Sequence, residues 1–174
     1  CCISREIQTR SSEGFSEMAV DKYNDARKLL LEGNHRLLVD PLHPVPPELV
    51  SRAERTLGVV FPISYRRFLE DFGTGGFGSL EILGITGDDF EISGFPDGIW
   101  YTMRQRQDIN LDVKYLIVEH GGDGTCVAID TNQRDSSGEC SLVRLSLDGK
   151  PIEVVSDSFG SWLLEELNWR MRLE

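Results

Sequence analysis

The chain is poor in the residue types that build metal centres and disulfide frameworks. It has three histidines and four cysteines among 174 residues. Cys126 lies in a short apolar run and Cys140 begins another, whereas Cys1 and Cys2 are adjacent. This arrangement has the spacing of neither a zinc site nor a small disulfide-rich domain. We therefore expect no metal and a reducing, cytoplasmic setting.

Long apolar runs are also missing. No stretch approaches the roughly 20 apolar residues that cross a membrane. Residues 1–17 are polar and lack the apolar core of a secretory signal. We expect a soluble, unexported protein whose native start is Met18; a lipid-modified Cys1 is the alternative.

Basic residues are scarce in the second part of the chain. The net charge is −11, and residues 1–60 carry nine acids and eight bases, whereas residues 61–174 carry twenty acids and ten bases. Nucleic acids and anionic membranes attract basic surfaces, so this balance argues against both as partners. A basic protein is the compatible partner.

The first helix and the linker after it are predicted by spacing and by proline. Apolar residues recur at helical spacing between Ala19 and Leu30, and Gly33 follows as a stop signal. Residues 40–47 contain four prolines and therefore cannot continue a helix. We interpret this segment as a connection between two helices of one domain.

Four further helices follow from the same signals. The predicted helices are residues 49–57 before Gly58, a third between Pro62 and Gly73, a weakly periodic segment at residues 96–109, and a last helix capped by Ser156 or Asp157 that buries Phe159, Trp162, Leu163 and Leu167.

Short apolar or alternating runs between the helices predict strands. They cover residues 77–85, 115–119, 125–130 and 141–147, and turn residues separate them. Because helices and strands do not alternate regularly, we predict an α+β domain with a central, largely antiparallel sheet. Residues 18–174 form this single domain, and residues 1–17 are an N-terminal extension of unknown role.

Three segments together resemble the SUKH superfamily. They are LGVVFPISYRRFLEDFGTGGFGSLEILG at residues 57–84, GDGTCVAIDT at residues 122–131 followed by GEC at residues 138–140, and SDSFGSWLLEEL at residues 156–167. The resemblance covers roughly residues 45–171. It implies an α+β domain of the Smi/Knr-like fold that acts by binding, without a cofactor or a small-molecule substrate. Many members are bacterial immunity proteins that neutralise toxins, and one is a yeast regulator of cell-wall synthesis.

Residues that could support catalysis are few. His120, beside Glu119 and near Asp123, is the sole candidate for a general base or metal ligand, and no second ligand stands at a recognisable spacing. The glycine-rich turn at residues 121–124 lacks the lysine and following helix of a phosphate loop, so it predicts a hairpin. Cys126 has no neighbouring positive charge and is expected in the core.

The unusual feature is a stretch without bases. Between Arg67 and Arg104 there are seven carboxylates, and residues 115–133 add three more. Such a run is often only a solvated face; concentrated acids can also steer a basic partner, and exposed aromatics supply affinity. The predicted partner-binding residues are Glu81, Asp88, Asp89, Glu91, Asp97, Trp100, Glu119 and Asp123.

Three functions are compatible with these features of the sequence. The leading hypothesis is an antitoxin-type immunity protein that binds a basic, nuclease-type toxin and covers its active site. The second is a regulatory interaction module of the same fold with no toxin partner. The third is a hydrolase centred on His120 and Asp123. The sequence does not predict the oligomeric state.

Overall fold

The α+β architecture is confirmed. A computed structural model describes residues 12–32 and 43–172, with side chains from residue 21 onward. The elements are α1 (Ser12–Glu32), α2 (Pro47–Leu57), α3 (Ile63–Phe72), β1 (Gly75–Phe77), β2 (Leu80–Ile82), α4 (Gly98–Asp108), β3 (Tyr115–His120), β4 (Cys126–Arg134), β5 (Cys140–Leu145), β6 (Pro151–Ser156) and α5 (Phe159–Arg172).

The six strands form one antiparallel sheet in chain order, β1 to β6. Side chains of paired residues lie on the same face, and the face alternates along each strand. Leu116 and Val118 of β3 belong to the core that contains α1, α3 and α5, whereas Tyr115 and Ile117 belong to a smaller core beside α4. The sheet is therefore covered by helices on both faces.

The larger core is rich in aromatic rings. Tyr65 and Phe68 of α3 pack against Phe159 of α5 with ring centroids 5.0 and 5.4 Å apart. Tyr23 and Leu30 bury the predicted face of α1 in the same core. Helical spacing in the sequence placed these faces correctly because the burial of apolar side chains dominates the orientation of a helix.

A buried carboxylate joins two helix N-termini to the sheet. Glu139, in the turn before β5, accepts hydrogen bonds from the Ser64 backbone N–H (2.8 Å) and hydroxyl (2.6 Å). The Ser64 hydroxyl in turn accepts a hydrogen bond from the N–H of Gly160 (3.2 Å). The first turns of α3 and α5, which expose unpaired N–H groups, are thereby satisfied inside the core.

Two strand predictions need correction. Residues 77–85, predicted as one strand, are divided: Phe77 ends β1, residues 80–82 form β2, and the chain then enters a loop. The strand is interrupted because Gly78 adopts φ = 59° and turns the chain back. Strand β6 was not predicted at all. Its residues are mostly exposed, and so its sequence lacks the apolar pattern that marks a half-buried strand.

The helix ends also differ from expectation. The cap of α5 is Ser158, not Ser156 or Asp157, because its hydroxyl accepts the N–H of Ser161 at 3.2 Å. Helix α1 begins at Ser12, earlier than Ala19, where the helical spacing in the sequence starts. Gly33 and part of the proline-rich connection lie outside the described residues.

Candidate protein-binding surface

Between β2 and α4 the chain forms a closed loop, residues 84–97, here called the acidic loop. Its ends meet: the Gly98 N–H donates to the Gly84 carbonyl at 2.7 Å, and Gly84 bridges Asp97. Tyr65, fully buried, donates its hydroxyl proton to the carbonyl of Leu83 at 2.9 Å. The loop is an Ω-type loop whose base is fixed to the core.

Asp97 was predicted to bind a partner, and the structure corrects this. Its side chain is 0% exposed. One carboxylate oxygen accepts the N–H groups of Ile99 and Trp100 (3.0 and 2.8 Å), which makes Asp97 the N-cap of α4. The other oxygen accepts the N–H and hydroxyl of Thr86 at 3.1 and 3.2 Å. Asp97 therefore closes the loop and cannot touch a partner.

Gly84 is required at the base of the loop. A Cβ atom built there would lie 1.8 Å from the carbonyl oxygen of Gly73. That close approach lets the Gly73 carbonyl accept the N–H of Ile85 at 2.7 Å. Any larger residue at position 84 would push the base of the acidic loop away from the end of α3.

The middle of the loop is anchored by one side chain. Phe90 is buried, and the Arg52 guanidinium of α2 lies 5.2 Å from its ring centroid. On either side of it Asp88, Asp89 and Glu91 are exposed. Within the described residues none of these three carboxylates forms an ion pair. The loop thus holds unpaired negative charge at fixed positions in solvent.

Two apolar side chains accompany these acids. Ile92 is 82% exposed and Phe95 is 48% exposed. Large exposed apolar side chains on an ordered loop are the type of contact that supplies affinity in protein interfaces. Neither residue is among the predicted partner-binding residues, because a phenylalanine or an isoleucine between turns carries no sequence signal of exposure.

Aromatic contacts connect the loop to the β3–β4 hairpin. The centroid of the Phe95 ring lies 6.2 Å from that of His120 and 6.1 Å from that of Tyr101. The rings of Tyr101 and His120 are 5.7 Å apart, and in all three pairs the ring planes are nearly perpendicular. Trp100 is half-buried beside Tyr101. His120 is therefore part of an aromatic cluster that joins the two surface segments.

The predicted hairpin at residues 121–124 is confirmed. The Gly121 N–H donates to the Thr125 carbonyl at 2.8 Å, and His120 pairs with Cys126. Asp123 is exposed, and its carboxylate accepts the Thr125 N–H and hydroxyl at 3.0 and 2.8 Å. These hydrogen bonds hold the pKa of Asp123 below its usual value. The carboxylate is charged and faces solvent.

Glu81 and Glu119 lie on opposite faces of the sheet. Glu81 pairs with Gly76 and is exposed. Glu119 pairs with Val127, on the side of α5, where burial and then the Glu166 carboxylate raise its pKa. Glu119 therefore does not share the surface formed by the acidic loop. Sequence proximity to His120 was misleading, because neighbouring strand residues point in opposite directions.

The groups considered for catalysis are not arranged for it. No three histidine, cysteine or carboxylate side chains in residues 12–32 and 43–172 are grouped so that they could hold a metal ion. Burial raises the pKa of the Cys126 thiol to about 11, which keeps it protonated and unreactive at neutral pH. His120 contacts rings, and no hydrogen bond within the described residues orients it as a base.

None of the described helices combines the length and apolar character of a membrane span. A family model, SUKH_5, described as SMI1-KNR4 cell-wall, matches residues 16–168, which is most of the chain. No curated protein sequence matches the chain. The family match covers all three segments that carried the resemblance in the sequence.

Proposed function

The chain belongs to the SMI1-KNR4 family of the SUKH superfamily, and from that premise we propose that it is a binding protein of the immunity type. Its proposed partner is a basic, nuclease-type toxin that it neutralises by direct contact in the cytoplasm. The proposed contact surface consists of Asp88, Asp89 and Glu91 of the acidic loop. We also assign Glu81, Trp100 and Asp123 to this surface.

One observation carries this proposal: the acidic loop is closed at its base and exposes unpaired acids beside large apolar side chains. Asp97 and Phe90 fix the loop, while Ile92 and Phe95 face solvent. A preorganised loop loses little conformational entropy on binding. Its unpaired carboxylates raise the rate of encounter with a basic surface.

Binding without catalysis is part of the proposal. The thiols of Cys126 and Cys140 are both free and both have a pKa raised to about 11 by burial. These thiols suit a reducing compartment and a structural role. The proposed inhibitory mechanism is therefore steric and electrostatic: the acidic surface occupies the basic, substrate-binding face of the toxin.

The proposal is tested by capture from the native host. The immobilised wild-type protein is compared with a triple variant, Asp88→Lys, Asp89→Lys and Glu91→Lys, and partners are identified by mass spectrometry. We expect a basic protein that is retained by the wild type and lost from the variant, and whose toxicity the wild type suppresses when both are expressed together. A matched control replaces three other exposed acids that form no ion pair within the described residues, Asp25, Asp157 and Glu165, with lysine and should retain the partner.

A regulatory interaction module is the second candidate, and the family description, which names the cell wall, favours it. The same capture experiment separates the two functions. Recovery of a non-toxic cellular protein by the wild type, again lost from the triple variant, would replace the immunity function and keep the binding surface. Equal recovery by wild type and triple variant would contradict the surface itself.

A further inference from the structure

A small cavity lies beside the acidic loop, on the hairpin of β1 and β2. Its volume is about 240 Å³, and it is lined by Gly75, Gly76, Gly78, Ser79, Glu81 and Pro96, among others. A drug-sized ligand needs roughly 300 to 1,000 Å³, and one water takes up about 30 Å³. The cavity is therefore smaller than a typical pocket for a drug-sized ligand and has room for a single long side chain.

Three of the eight residues that line the cavity are glycines, which have no side chains. Gly76 pairs with Glu81 across the hairpin, so Glu81 stands on the same face as a position that has no Cβ atom. Pro96 forms another wall and directly follows Phe95 of the acidic loop. The cavity is thus continuous with the proposed contact surface.

The cavity has an unbalanced negative charge. Within the described residues Glu81 has neither an ion-pair nor a hydrogen-bond partner. Arg170 of α5 contacts this hairpin: its guanidinium donates to the Ser79 hydroxyl at 3.3 Å and is paired with Glu166 at 3.2 Å. The rim of the cavity therefore already accepts one guanidinium donor, and Glu81 remains available for another.

We infer that this cavity receives an arginine side chain of the partner, with Glu81 as its carboxylate; this rests on the proposed function. A guanidinium is planar and can make two parallel hydrogen bonds to a carboxylate, while its flat face lies on the glycine backbone. The chain contributes the slot and the negative charge, and the partner contributes the cation. The acidic loop accelerates encounter, and the cavity slows dissociation.

The inference is tested without the partner, using three tripeptides as probes. These are acetyl-Gly-Arg-Gly-amide and its analogues with citrulline or lysine in the central position, titrated into the isotope-labelled full chain. Backbone amide shifts are followed by NMR. We expect the arginine peptide to shift the signals of Gly75, Gly76, Gly78 and Glu81, and the uncharged citrulline peptide, of nearly equal shape, to leave them unchanged.

Two variants test whether the arginine peptide binds in the cavity. Glu81→Gln keeps the shape and removes the charge, and should weaken arginine-peptide binding about fivefold or more. Gly76→Val should fill the slot and abolish binding; if it does not fold, Glu81→Gln decides alone. The control Glu165→Gln removes an exposed carboxylate on α5 and should bind as the wild type does.

Three results would overturn the inference: no shift at the cavity, equal shifts with the arginine and lysine peptides, or unchanged binding by Glu81→Gln. Each of these concerns the cavity alone. The proposed function is judged separately by capture of a partner with the acidic-loop variant, so a partner lost from that variant would stand even if the arginine peptide did not bind. If capture fails while the peptide binds the cavity, the cavity is a guanidinium site and the immunity function is wrong.

Discussion

Two acidic segments of this protein differ in what their carboxylates contact: in one they are hydrogen-bonded within the fold, and in the other most of them face solvent. In the turn between β4 and β5, residues 135–139, both carboxylates accept several hydrogen bonds from the protein. Glu139 is 2% exposed and accepts the N–H and hydroxyl of Ser64, and Asp135, although exposed, accepts the N–H groups of Ser137 and Glu139 at 2.8 and 3.0 Å. In the acidic loop only Asp97 accepts several hydrogen bonds in this way. Asp88, Asp89 and Glu91 are exposed, and of these three only Asp89 accepts a hydrogen bond within the described residues, from the Glu91 N–H at 3.0 Å.

The difference shows what decides whether an acid is structural or available to a partner. A buried carboxylate must be hydrogen-bonded, since an unsatisfied buried charge is strongly destabilising. An exposed one gains little stability from its surroundings and is free to act at a distance. Asp97 and Glu139 therefore stabilise the fold, while Asp88, Asp89 and Glu91 are the carboxylates that we propose for recognition.

The largest expected loss of stability comes from a substitution in the turn between β4 and β5. Glu139→Ala leaves the buried N–H of Ser64 and its hydroxyl without their acceptor, so we expect a loss of about 3 kcal/mol in the free energy of unfolding. Urea denaturation measures this loss. The control Glu165→Ala, an exposed acid on α5, should change it by less than about 0.5 kcal/mol. Similar values for both variants would contradict the structural role of Glu139.

The next effect concerns the closure of the acidic loop. Asp97→Ala removes the N-cap of α4 and the acceptor for Thr86, and should cost about 2 kcal/mol. Limited proteolysis should also cut residues 84–97 faster than in the wild type, because the base of the loop opens. Asp97→Asn, which keeps an acceptor oxygen for the cap, is expected to lose less. If cleavage does not accelerate, the loop is held by other contacts.

The two carboxylates of the turn should respond to pH in opposite directions. Burial raises the pKa of Glu139, and the Ser64 hydrogen bonds offset this increase only in part. The contribution of Glu139 to stability is therefore lost as the pH rises above the ordinary pKa of a glutamate. Burial also opposes ionisation of Asp135, but hydrogen bonds from Ser137 and the Glu139 N–H lower its pKa overall, so its contribution is lost as the pH falls.

Unfolding from pH 2.5 to 7 compares Glu139→Gln and Asp135→Asn with the wild type. The stability of Glu139→Gln relative to the wild type should increase as the pH rises above the usual glutamate pKa. That of Asp135→Asn should decrease as the pH rises through the lowered aspartate pKa. If the stability difference from the wild type changed with pH in the same direction for both variants, the pKa values of Glu139 and Asp135 would not be shifted in opposite directions.

The smallest effect on folding is expected in the exposed part of the acidic loop. Each of Asp88→Lys, Asp89→Lys and Glu91→Lys should change the free energy of unfolding by less than about 0.5 kcal/mol, because these side chains form no ion pair within the described residues. Thermal unfolding of the single variants and of the triple variant measures this. A large loss in any of them would mean that its carboxylate is structural, as Asp97 is.

Much of this fold could be predicted from the sequence because its helices have a clear buried face. Phe68 and Trp162 mark such faces, and Gly58 and Gly73 end α2 and α3 as expected. The central strands β3 and β4 were recognisable from their apolar runs. Strand β6 was not, because Ile152, Glu153 and Val154 are exposed at the edge of the sheet and carry no burial pattern.

The candidate surface was harder to predict for a physical reason. A carboxylate in the sequence does not reveal whether it will be buried, and so Asp97 and Asp88 looked equivalent. The face of Glu119 depends on the register of β3 against β4, which contains an irregularity between Ile117 and Glu119. Only contacts between distant residues, such as Asp97 with Thr86, separate the two kinds of acid.

The central claim is that the exposed acids of the loop act on a basic partner from a distance, and the association rate constant tests it most directly. Stopped-flow association of the captured partner is measured at about 0.05 M and 0.5 M salt for the wild type and for the Asp88, Asp89, Glu91 lysine triple variant. Exposed charges are screened beyond about 10 Å at 0.1 M ionic strength. The wild-type rate should therefore fall steeply with salt, the variant should associate more slowly at low salt, and its rate should depend far less on salt. Equal association rates for the two proteins at low salt would contradict the claim and leave the acidic loop as a solvated surface.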